Sequence, residues 1–258
     1  MPEVRRSPRD SFITVYGRMP VQEVLLDETL TVDKLIVAQG SRGNSLDRIL
    51  GLAERQGVPI EWTNAQRVKL LAGNGKHDQG IVADVEAPGL RTLEEYVAEA
   101  PYDAGVLLLD GITNPGNVGM IIRTATAAGL AVILPSQGTA SLGPLVIKAS
   151  AGVAYRATIV RVRRAPEAVK RLHAAGFTTY GLDSEAATSL YDGALSDRLR
   201  RGRSAFVLGN ETDGLTDEVS GQLQELIAIP MSGGVESLNV ASAAAVLSFE
   251  LVRLRLAE

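Results

Sequence analysis

Short apolar runs alternate with helical segments through the second half of the chain, and polar residues and glycines follow several of these runs. The run 105–109 lacks the polar alternation of a half-exposed strand, which is typical of a parallel strand covered on both faces. Strands that alternate with helices indicate an α/β fold with a mainly parallel sheet. Such folds place their sites beyond the carboxyl ends of the strands.

The composition limits the classes of chemistry that the chain can perform. Its 258 residues are 45% hydrophobic and 22% charged, an ordinary globular composition. The absence of cysteine excludes disulfides, a thiolate zinc site and a cysteine nucleophile. With only His77 and His173, a histidine-based metal site is not expected. No signal-peptide core and no membrane-length apolar run is present, so the sequence predicts a cytoplasmic protein that binds no membrane and no metal.

Charge gives a divided indication about nucleic acid. The formal net charge of −4 argues weakly against it. Three basic clusters nevertheless stand out in the sequence, namely Arg5, Arg6 and Arg9; Arg156, Arg161, Arg163, Arg164, Lys170 and Arg171; and Arg198, Arg200, Arg201 and Arg203. Each cluster could hold a phosphate backbone, and each could equally be a solvated surface.

The pattern predicts two domains. Residues 1–11 are polar and arginine-rich, which favours a loose tail. Residues 12–87 form a small α/β unit, residues 88–103 read as a linker that begins with Pro and Gly, and residues 104–258 form the second unit.

Three segments of the second unit combine glycines with polar side chains where predicted strands end. They are residues 114–125 (NPGNVGMIIRTA), 208–215 (LGNETDGL) and 229–240 (IPMSGGVESLNV). One such segment is compatible with an ordinary turn. Three of them at strand ends are more easily explained as parts of one site.

The first two segments offer a charged pair and a backbone site. Asn117 comes just before a predicted helix over 119–128, where it could cap amides or point into a site. Arg123 is surrounded by apolar residues, so it is either at the surface or placed to hold an anion. Gly209 would let a ligand approach the backbone, and Glu211 could orient the arginine or bind a hydroxyl.

The third segment offers a loop and a helix start. Its Pro-Met-Ser-Gly-Gly stretch exposes backbone amides and carbonyls suited to an adenine ring or a carboxylate. Ser237 and Asn239 fall in the first turn of a helix predicted over 237–256, and N-capping by Ser237 is the alternative to a role in a site.

Other nucleotide and hydrolase motifs are missing. No G-x-G-x-x-G follows the first strand of either unit, and the glycine-rich residues 73–77 lack the Ser or Thr of a P-loop. The sequence contains neither G-x-S-x-G nor H-E-x-x-H.

Residues 103–257 resemble the SpoU, or TrmH-like, group of the SPOUT RNA methyltransferases. The resemblance rests on three motifs in the family's order, matched by residues 114–125, 209–214 and 229–240. The first domain resembles the small RNA-binding domain that precedes this module in ribosomal-RNA ribose methyltransferases, on residues 16–25 and 77–83.

The resemblance implies a function and a fold. Members transfer a methyl group from S-adenosylmethionine to a ribose 2′-hydroxyl of RNA, here expected to be 23S ribosomal RNA. They are homodimers, with the final helix and the first-motif helix near the interface. Their C-terminal chain forms a deep trefoil knot, an exception to the general rule against knots. The Gly17-Arg18 helix start and the Lys76-His77 loop would grip RNA.

The motif match also implies roles for individual residues. Six positions would hold or border the methyl donor: Leu208, Gly209, Asn210, Ile229, Met231 and Leu238. Five would surround the reacting ribose: Asn117, Arg123, Glu211, Ser237 and Asn239. An arginine is a poor base because its pKa exceeds about 12, so holding the adjacent phosphate is the role we favour for Arg123. A base role for this arginine is the alternative.

Four alternatives stay open at this stage. Within the same chemistry, the substrate could be transfer RNA, or the methylation could confer antibiotic resistance; Asp213 and Glu236 add negative charge near an RNA site and leave the substrate open. The chain could also be a non-catalytic RNA-binding ribosome-assembly factor, or a general nucleotide-dependent α/β enzyme. Binding of S-adenosylmethionine would distinguish a methyltransferase from a general nucleotide-dependent enzyme. Turnover would distinguish it from an assembly factor.

Overall fold

The computed structural model describes residues 11–73 and 77–256. The chain divides into two compact units, the first running to Pro88 and including Leu142–Ile147, the second comprising the remainder. The predicted tail apart from Ser11, and Lys76 of the predicted RNA-gripping loop, lie outside the described residues.

The first unit is a small α/β unit with its own sheet. In the described residues this sheet has four strands in the order β1-β4-β2-β3, antiparallel except for the β2–β3 pair. The elements are β1 (Phe12–Tyr16), α1 (Arg18–Leu26), β2 (Val32–Ala38), α2 (Asn44–Gln56), β3 (Ile60–Thr63), α3 (Ala65–Ala72) and β4 (Ile81–Glu86).

Two helix ends of this unit follow from single residues. Gly57 adopts the left-handed conformation (φ 71°) and closes α2, with its N–H donating to the carbonyls of Ala53 and Glu54. The Asn64 side chain accepts the Arg67 N–H at 2.8 Å and so begins α3.

The second unit is built on one large parallel sheet. Its strands in the described residues number eight, in the order β10-β12-β9-β11-β6-β7-β8-β5, and every pairing is parallel. The α/β prediction is therefore confirmed. The strands are β5 (Leu90–Thr92), β6 (Gly105–Leu109), β7 (Ala131–Pro135), β8 (Ile159–Val162), β9 (Thr178–Leu182), β10 (Thr188–Ser189), β11 (Ser204–Leu208) and β12 (Glu225–Ala228). The helices are α4 (Leu93–Glu99), α5 (Pro115–Ala127), α7 (Ala165–Ala174), α8 (Gly193–Arg200), α9 (Asp217–Ser220) and α10 (Val240–Leu256). Between α5 and α7, helix α6 (Pro144–Ala149) begins in the Leu142–Ile147 segment of the first unit.

The two central strands determine where the residues of the site leave the sheet. Every residue of β6 and β11 is buried, in keeping with their continuous apolar sequence. Leu109 pairs with Leu208 at their carboxyl ends. The residues that follow, Asp110 and Gly209, therefore leave the sheet side by side.

Before β8, Gly152 turns the chain in the left-handed conformation and a short 3-10 turn, Val153–Tyr155, follows. Two local predictions differ from the structure. The segment 88–103, expected as a linker, contains β5 and α4 of the second unit, with β5 paired to β8. The final helix begins at Val240 rather than at residue 237.

Within residues 11–73 and 77–256, no helix has the length and apolar character needed to cross a membrane.

Candidate active site

The loop that follows β11 is closed on itself and tied to the residues that follow β6. Asn210 and Gly214 exchange backbone hydrogen bonds of 2.8 and 3.0 Å. The Asn210 side chain donates to the Gly111 carbonyl at 2.8 Å and accepts the Thr212 N–H at 2.8 Å. The side-chain amide and both backbone groups of Asn210 are thus used to hold the loop.

Gly209 is a glycine because of the loop's own backbone. A Cβ added there would lie 2.3 Å from the carbonyl carbon of Gly214, a distance that no real contact tolerates. The sequence suggests that this glycine makes room for a ligand. The structure gives a different first reason, which is that the closed turn packs directly against it.

The buried carboxylate of Asp110 anchors the far end of the same loop. Its side chain is 5% exposed, and its Oδ2 accepts the Thr216 N–H at 2.8 Å and the Thr216 hydroxyl at 2.9 Å. The sequence motifs do not include Asp110, which directly follows the apolar run 105–109. A carboxylate directly after a buried central strand was the available signal that it supports a site.

Replacing Asp110 with alanine is expected to destabilise the second unit by about 2 kcal/mol, because two hydrogen bonds from Thr216 to a buried carboxylate are lost. The thermal unfolding midpoint measures this effect. Asp213→Ala is the matched control, since Asp213 is exposed in the same loop and its side chain has no partner among the described residues. Equal midpoints for the two variants would show that Asp110 does not anchor the loop.

Asn117 joins all three motifs by side-chain hydrogen bonds. It lies in the first turn of α5, where Asn114 caps the helix by accepting the N–H groups of Gly116 and Asn117. The Asn117 side chain is 6% exposed. Its Oδ1 accepts from Asn239 Nδ2 at 3.2 Å, and its Nδ2 donates to the Glu211 carboxylate. We call Asn117, Glu211 and Asn239 the amide-carboxylate network.

Asn239, and not Ser237, caps the final helix. Its Oδ1 accepts the N–H groups of Ala241 at 2.9 Å and Ser242 at 3.4 Å. The prediction that the helix starts at residue 237 is therefore wrong, and so is the alternative in which Ser237 caps it. Ser237 is exposed in the irregular stretch before the helix, and its side chain has no hydrogen-bond partner in the described part of the chain.

Arg123 is on α5 but outside the amide-carboxylate network. It is exposed, and no described residue pairs with its guanidinium. Six residues separate it from Asn117, which places the two about 120° apart around the helix axis. Arg123 shares its face with exposed Met120, three residues earlier. The structure thus brings three of the five proposed ribose-site residues together and leaves Arg123 and Ser237 apart.

The residues expected around the methyl donor differ in what they expose. Leu208 and Ile229 are buried, so their side chains serve the core. Met231 and Leu238 are partly exposed in the loop between β12 and α10. Gly233 stands in open space in the same loop.

Much of the basic clustering is used inside the protein. Four arginines of the predicted clusters form ion pairs, Arg164 with Glu218, Arg171 with Glu94, Arg198 with Glu225 and Arg200 with Asp197. Arg203 donates to the Pro101, Ala175 and Ala100 carbonyls and lies over the Phe177 ring. These five side chains are structural rather than free for phosphate, which favours the surface interpretation at those positions.

Among the described residues, no group of three or more histidine, aspartate or glutamate side chains is placed to hold a metal ion. The polar site at the sheet edge consists instead of amides, a carboxylate and backbone groups.

Two family models match the chain. The SpoU rRNA Methylase family matches residues 105–249, and the RNA 2′-O ribose methyltransferase substrate binding family matches residues 14–90. The first match contains all three motifs.

Curated relatives and solved structures agree with these matches. The 23S rRNA (guanosine-2′-O-)-methyltransferase RlmB of Xanthomonas axonopodis pv. citri is 38% identical, covering 94% of this chain and 96% of its own length. The enzyme of that name from Escherichia coli K12 is 33% identical, covering 93% and 98%. The SpoU methyltransferase AviRb from Streptomyces viridochromogenes, solved with AdoMet, has a TM-score of 0.63 at 24% identity and covers 97% and 93%, which supports the fold. The chain therefore belongs to the SpoU rRNA methylase family.

Proposed function

We propose that this protein transfers a methyl group from S-adenosylmethionine to the ribose 2′-hydroxyl of a guanosine in 23S ribosomal RNA. The amide-carboxylate network carries the proposal, because it unites the three family motifs at the carboxyl edge of the sheet. The relatives that span both units are named for this reaction. Since ribosomal RNA is made in the cytoplasm of such bacteria, the enzyme would act there.

The loop between β12 and α10 fits the methyl donor. In the described residues the backbone amides of 231–238 donate no hydrogen bond, so they are available to a ligand. Met231 and Leu238 add partly exposed apolar surface suited to an adenine ring. Backbone around Gly209, Ile229 and Leu238 would hold the donor, with Leu208, Asn210 and Met231 beside it.

Side chains of the three motifs would position the ribose 2′-hydroxyl that accepts the methyl group. S-Adenosylmethionine supplies the methyl group; the 2′-oxygen forms the new bond to carbon as the carbon–sulfur bond breaks and its electrons stay on sulfur. This displacement depends on positioning. Asn117 orients the Glu211 carboxylate with a neutral donor, which leaves its negative charge in place to accept the hydroxyl proton. Ser237 and Asn239 would border the ribose.

Arg123 would hold the phosphate next to the reacting ribose. A guanidinium is charged at all working pH values and binds phosphate in a bidentate manner. Its charge lowers the cost of a nascent alkoxide. Its exposed position, with no partner in the described part of the chain, leaves it available for this contact.

The working form would be a homodimer that buries one face of α10. This helix is mostly apolar, with charged residues only near its end, where Arg253 pairs with Glu250. A helix with so little polar surface is usually covered on more than one side. Its outer face carries Phe249, 50% exposed, and Leu256, 81% exposed. Val246 and Val252 lie on the same stripe at helical spacing. Arg123 and Met120 are exposed on α5, the helix that packs against α10.

Replacing Phe249 with glutamate is expected to convert the dimer to monomer, because a charge in the centre of an apolar interface costs several kcal/mol. Light scattering after size exclusion measures the mass. Tyr102→Glu is the matched control, since Tyr102 is exposed elsewhere in the second unit. A wild-type monomer, or a dimeric Phe249→Glu variant, would contradict the proposed interface.

Transfer RNA is the second substrate considered. A structure titled for 2-OH methylation of C/U34 on tRNA matches 60% of this chain at a TM-score of 0.52, whereas the RlmB relatives cover 93–94%. The additional unit matches a substrate-binding family. This coverage favours ribosomal RNA. A non-catalytic assembly factor would have no need of the complete network.

Two assays in sequence test the reaction. Calorimetric titration with S-adenosylmethionine should show binding, and labelled donor should then transfer its methyl group to unmodified ribosomal RNA and much less to transfer RNA. Donor binding without transfer to either RNA would support the assembly factor. No donor binding would end the proposal.

A further inference from the structure

The first unit contains a cleft that its family match does not explain. It has a volume of about 470 Å³ and lies where the starts of α1 and α2 meet the turn before β4. Its lining residues are Arg18, Met19, Gln22, Ser45 and Gln79. The volume falls in the range of small-ligand sites, which is roughly 300–1,000 Å³.

Arg18 forms a fixed wall of this cleft. Its Nη1 donates to the Ser45 hydroxyl at 2.9 Å and its Nη2 donates to the Arg42 carbonyl at 3.1 Å. Both terminal nitrogens therefore hold the guanidinium plane in place, and each keeps one further N–H. That Arg18 grips RNA stays a prediction.

Two glutamines give the cleft directional hydrogen-bonding groups. Gln79 Oε1 accepts the backbone N–H of Arg18 at 2.9 Å, which fixes the amide and leaves the two Nε2 protons to donate elsewhere. Gln79 has a backbone φ of 50°, in the left-handed region that residues other than glycine rarely adopt. Gln22 is half-buried, and its side chain has no partner among the described residues.

The charge and the apolar surface of the cleft favour a base over a phosphate. Met19 is 68% exposed and supplies a polarisable apolar contact. Arg18 is the one cation among the described lining residues, and the first turn of α2 carries the negative charge of Asp47. Planar bases need an apolar contact on one face and amide groups at the edge, which is how proteins read unpaired RNA.

We propose that this cleft binds one unpaired nucleobase of the RNA substrate, with Gln22 and Gln79 at the base edge and Met19 against its face. This inference rests on the proposed function, in which the first unit binds RNA. It adds that the unit selects unpaired RNA through base contacts instead of holding a duplex by charge alone.

Binding by the full chain to two labelled RNAs tests the proposal. The probes are a fluorescein-labelled mixed-sequence single strand and a duplex of the same length. We expect Gln22→Ala and Met19→Ala each to weaken single-strand binding about tenfold, the loss expected of one base contact. Duplex binding and the salt dependence should not change, because no phosphate contact is removed. Gln66→Ala is the matched control, since Gln66 is exposed on α3 away from the cleft.

The outcomes separate this inference from the proposed function. Wild-type affinity in both cleft variants, with methyl transfer intact in the wild type, would overturn the base site alone. An equal loss for single strand and duplex together with a reduced salt dependence would show a phosphate contact and overturn it as well. A wild-type chain that binds neither RNA would overturn both. An unchanged thermal unfolding profile in the variants confirms that the first unit is folded.

Discussion

Replacing Arg123 with alanine is expected to reduce methyl transfer by about a hundredfold or more, the loss typical of removing one charged group that stabilises a developing oxyanion. Affinity for S-adenosylmethionine should stay unchanged, because Arg123 is exposed on α5 and apart from the loops proposed to hold the donor. Single-turnover transfer and calorimetric donor binding measure the two effects separately.

Two further variants define what Arg123 contributes. Arg123→Lys should recover only part of the rate, because a lysine keeps the charge but not the bidentate geometry. Lys170→Ala serves as the control for loss of an exposed cation from a helix of the same unit. Normal turnover in Arg123→Ala would remove this residue from the site, and a loss of donor binding would place it beside the donor instead.

The second large effect is expected for Asn117→Asp. The substitution replaces the Nδ2 donor with a carboxylate oxygen that faces Glu211 and also adds a charge at a position only 6% exposed. Burying an unpaired charge beside a like charge costs about 3 kcal/mol or more. We expect loss of methyl transfer and a lower unfolding midpoint.

The pH dependence of this variant follows from the paired carboxylates. Each would raise the pKa of the other in the folded state, so one shared proton relieves the repulsion at low pH. A raised folded-state pKa means that stability is lost as pH rises. The deficit of Asn117→Asp relative to wild type should therefore grow from acidic to neutral pH. Asn44→Asp, an exposed control in the first unit, should show no such trend. A deficit independent of pH would contradict the contact with Glu211.

Several features of the fold were predictable because they depend on local sequence. Strands β6 and β11 are continuous apolar runs, and such runs become buried parallel strands. Gly57 and Asn64 mark helix ends through conformational freedom and side-chain capping, which act over a few residues. Because the strands are parallel, the residues that follow them meet at the carboxyl edge of the sheet.

Other features depend on contacts between distant residues, and the sequence does not reveal them. Arg203 donates to the Pro101 carbonyl 102 positions away, so a cation that looked free for RNA is structural. The choice between Ser237 and Asn239 as a helix cap depends on where the backbone turns. Asp110 acquires its role only when β6 and β11 lie side by side and bring Thr216 within reach.

The network itself lies between these two cases. The motifs indicated that Asn117, Glu211 and Asn239 belong to one site, but not that the asparagine amide would be the centre that bonds to both others. That arrangement requires the starts of α5 and α10 to meet the loop after β11. Arg123 lies on another face of α5, which follows from helical geometry and its spacing of six positions from Asn117.

The central claim is ribose methylation of ribosomal RNA, and one measurement addresses it directly. Purified protein would be incubated with S-adenosylmethionine carrying a labelled methyl group and with unmodified 23S ribosomal RNA, and the product would be mapped by resistance to alkaline cleavage. We predict label at one guanosine whose 3′ linkage becomes resistant, because a 2′-O-methyl group removes the nucleophile for cleavage. Labelled RNA that is cleaved normally at every position would show methylation at another atom and would contradict the proposed mechanism.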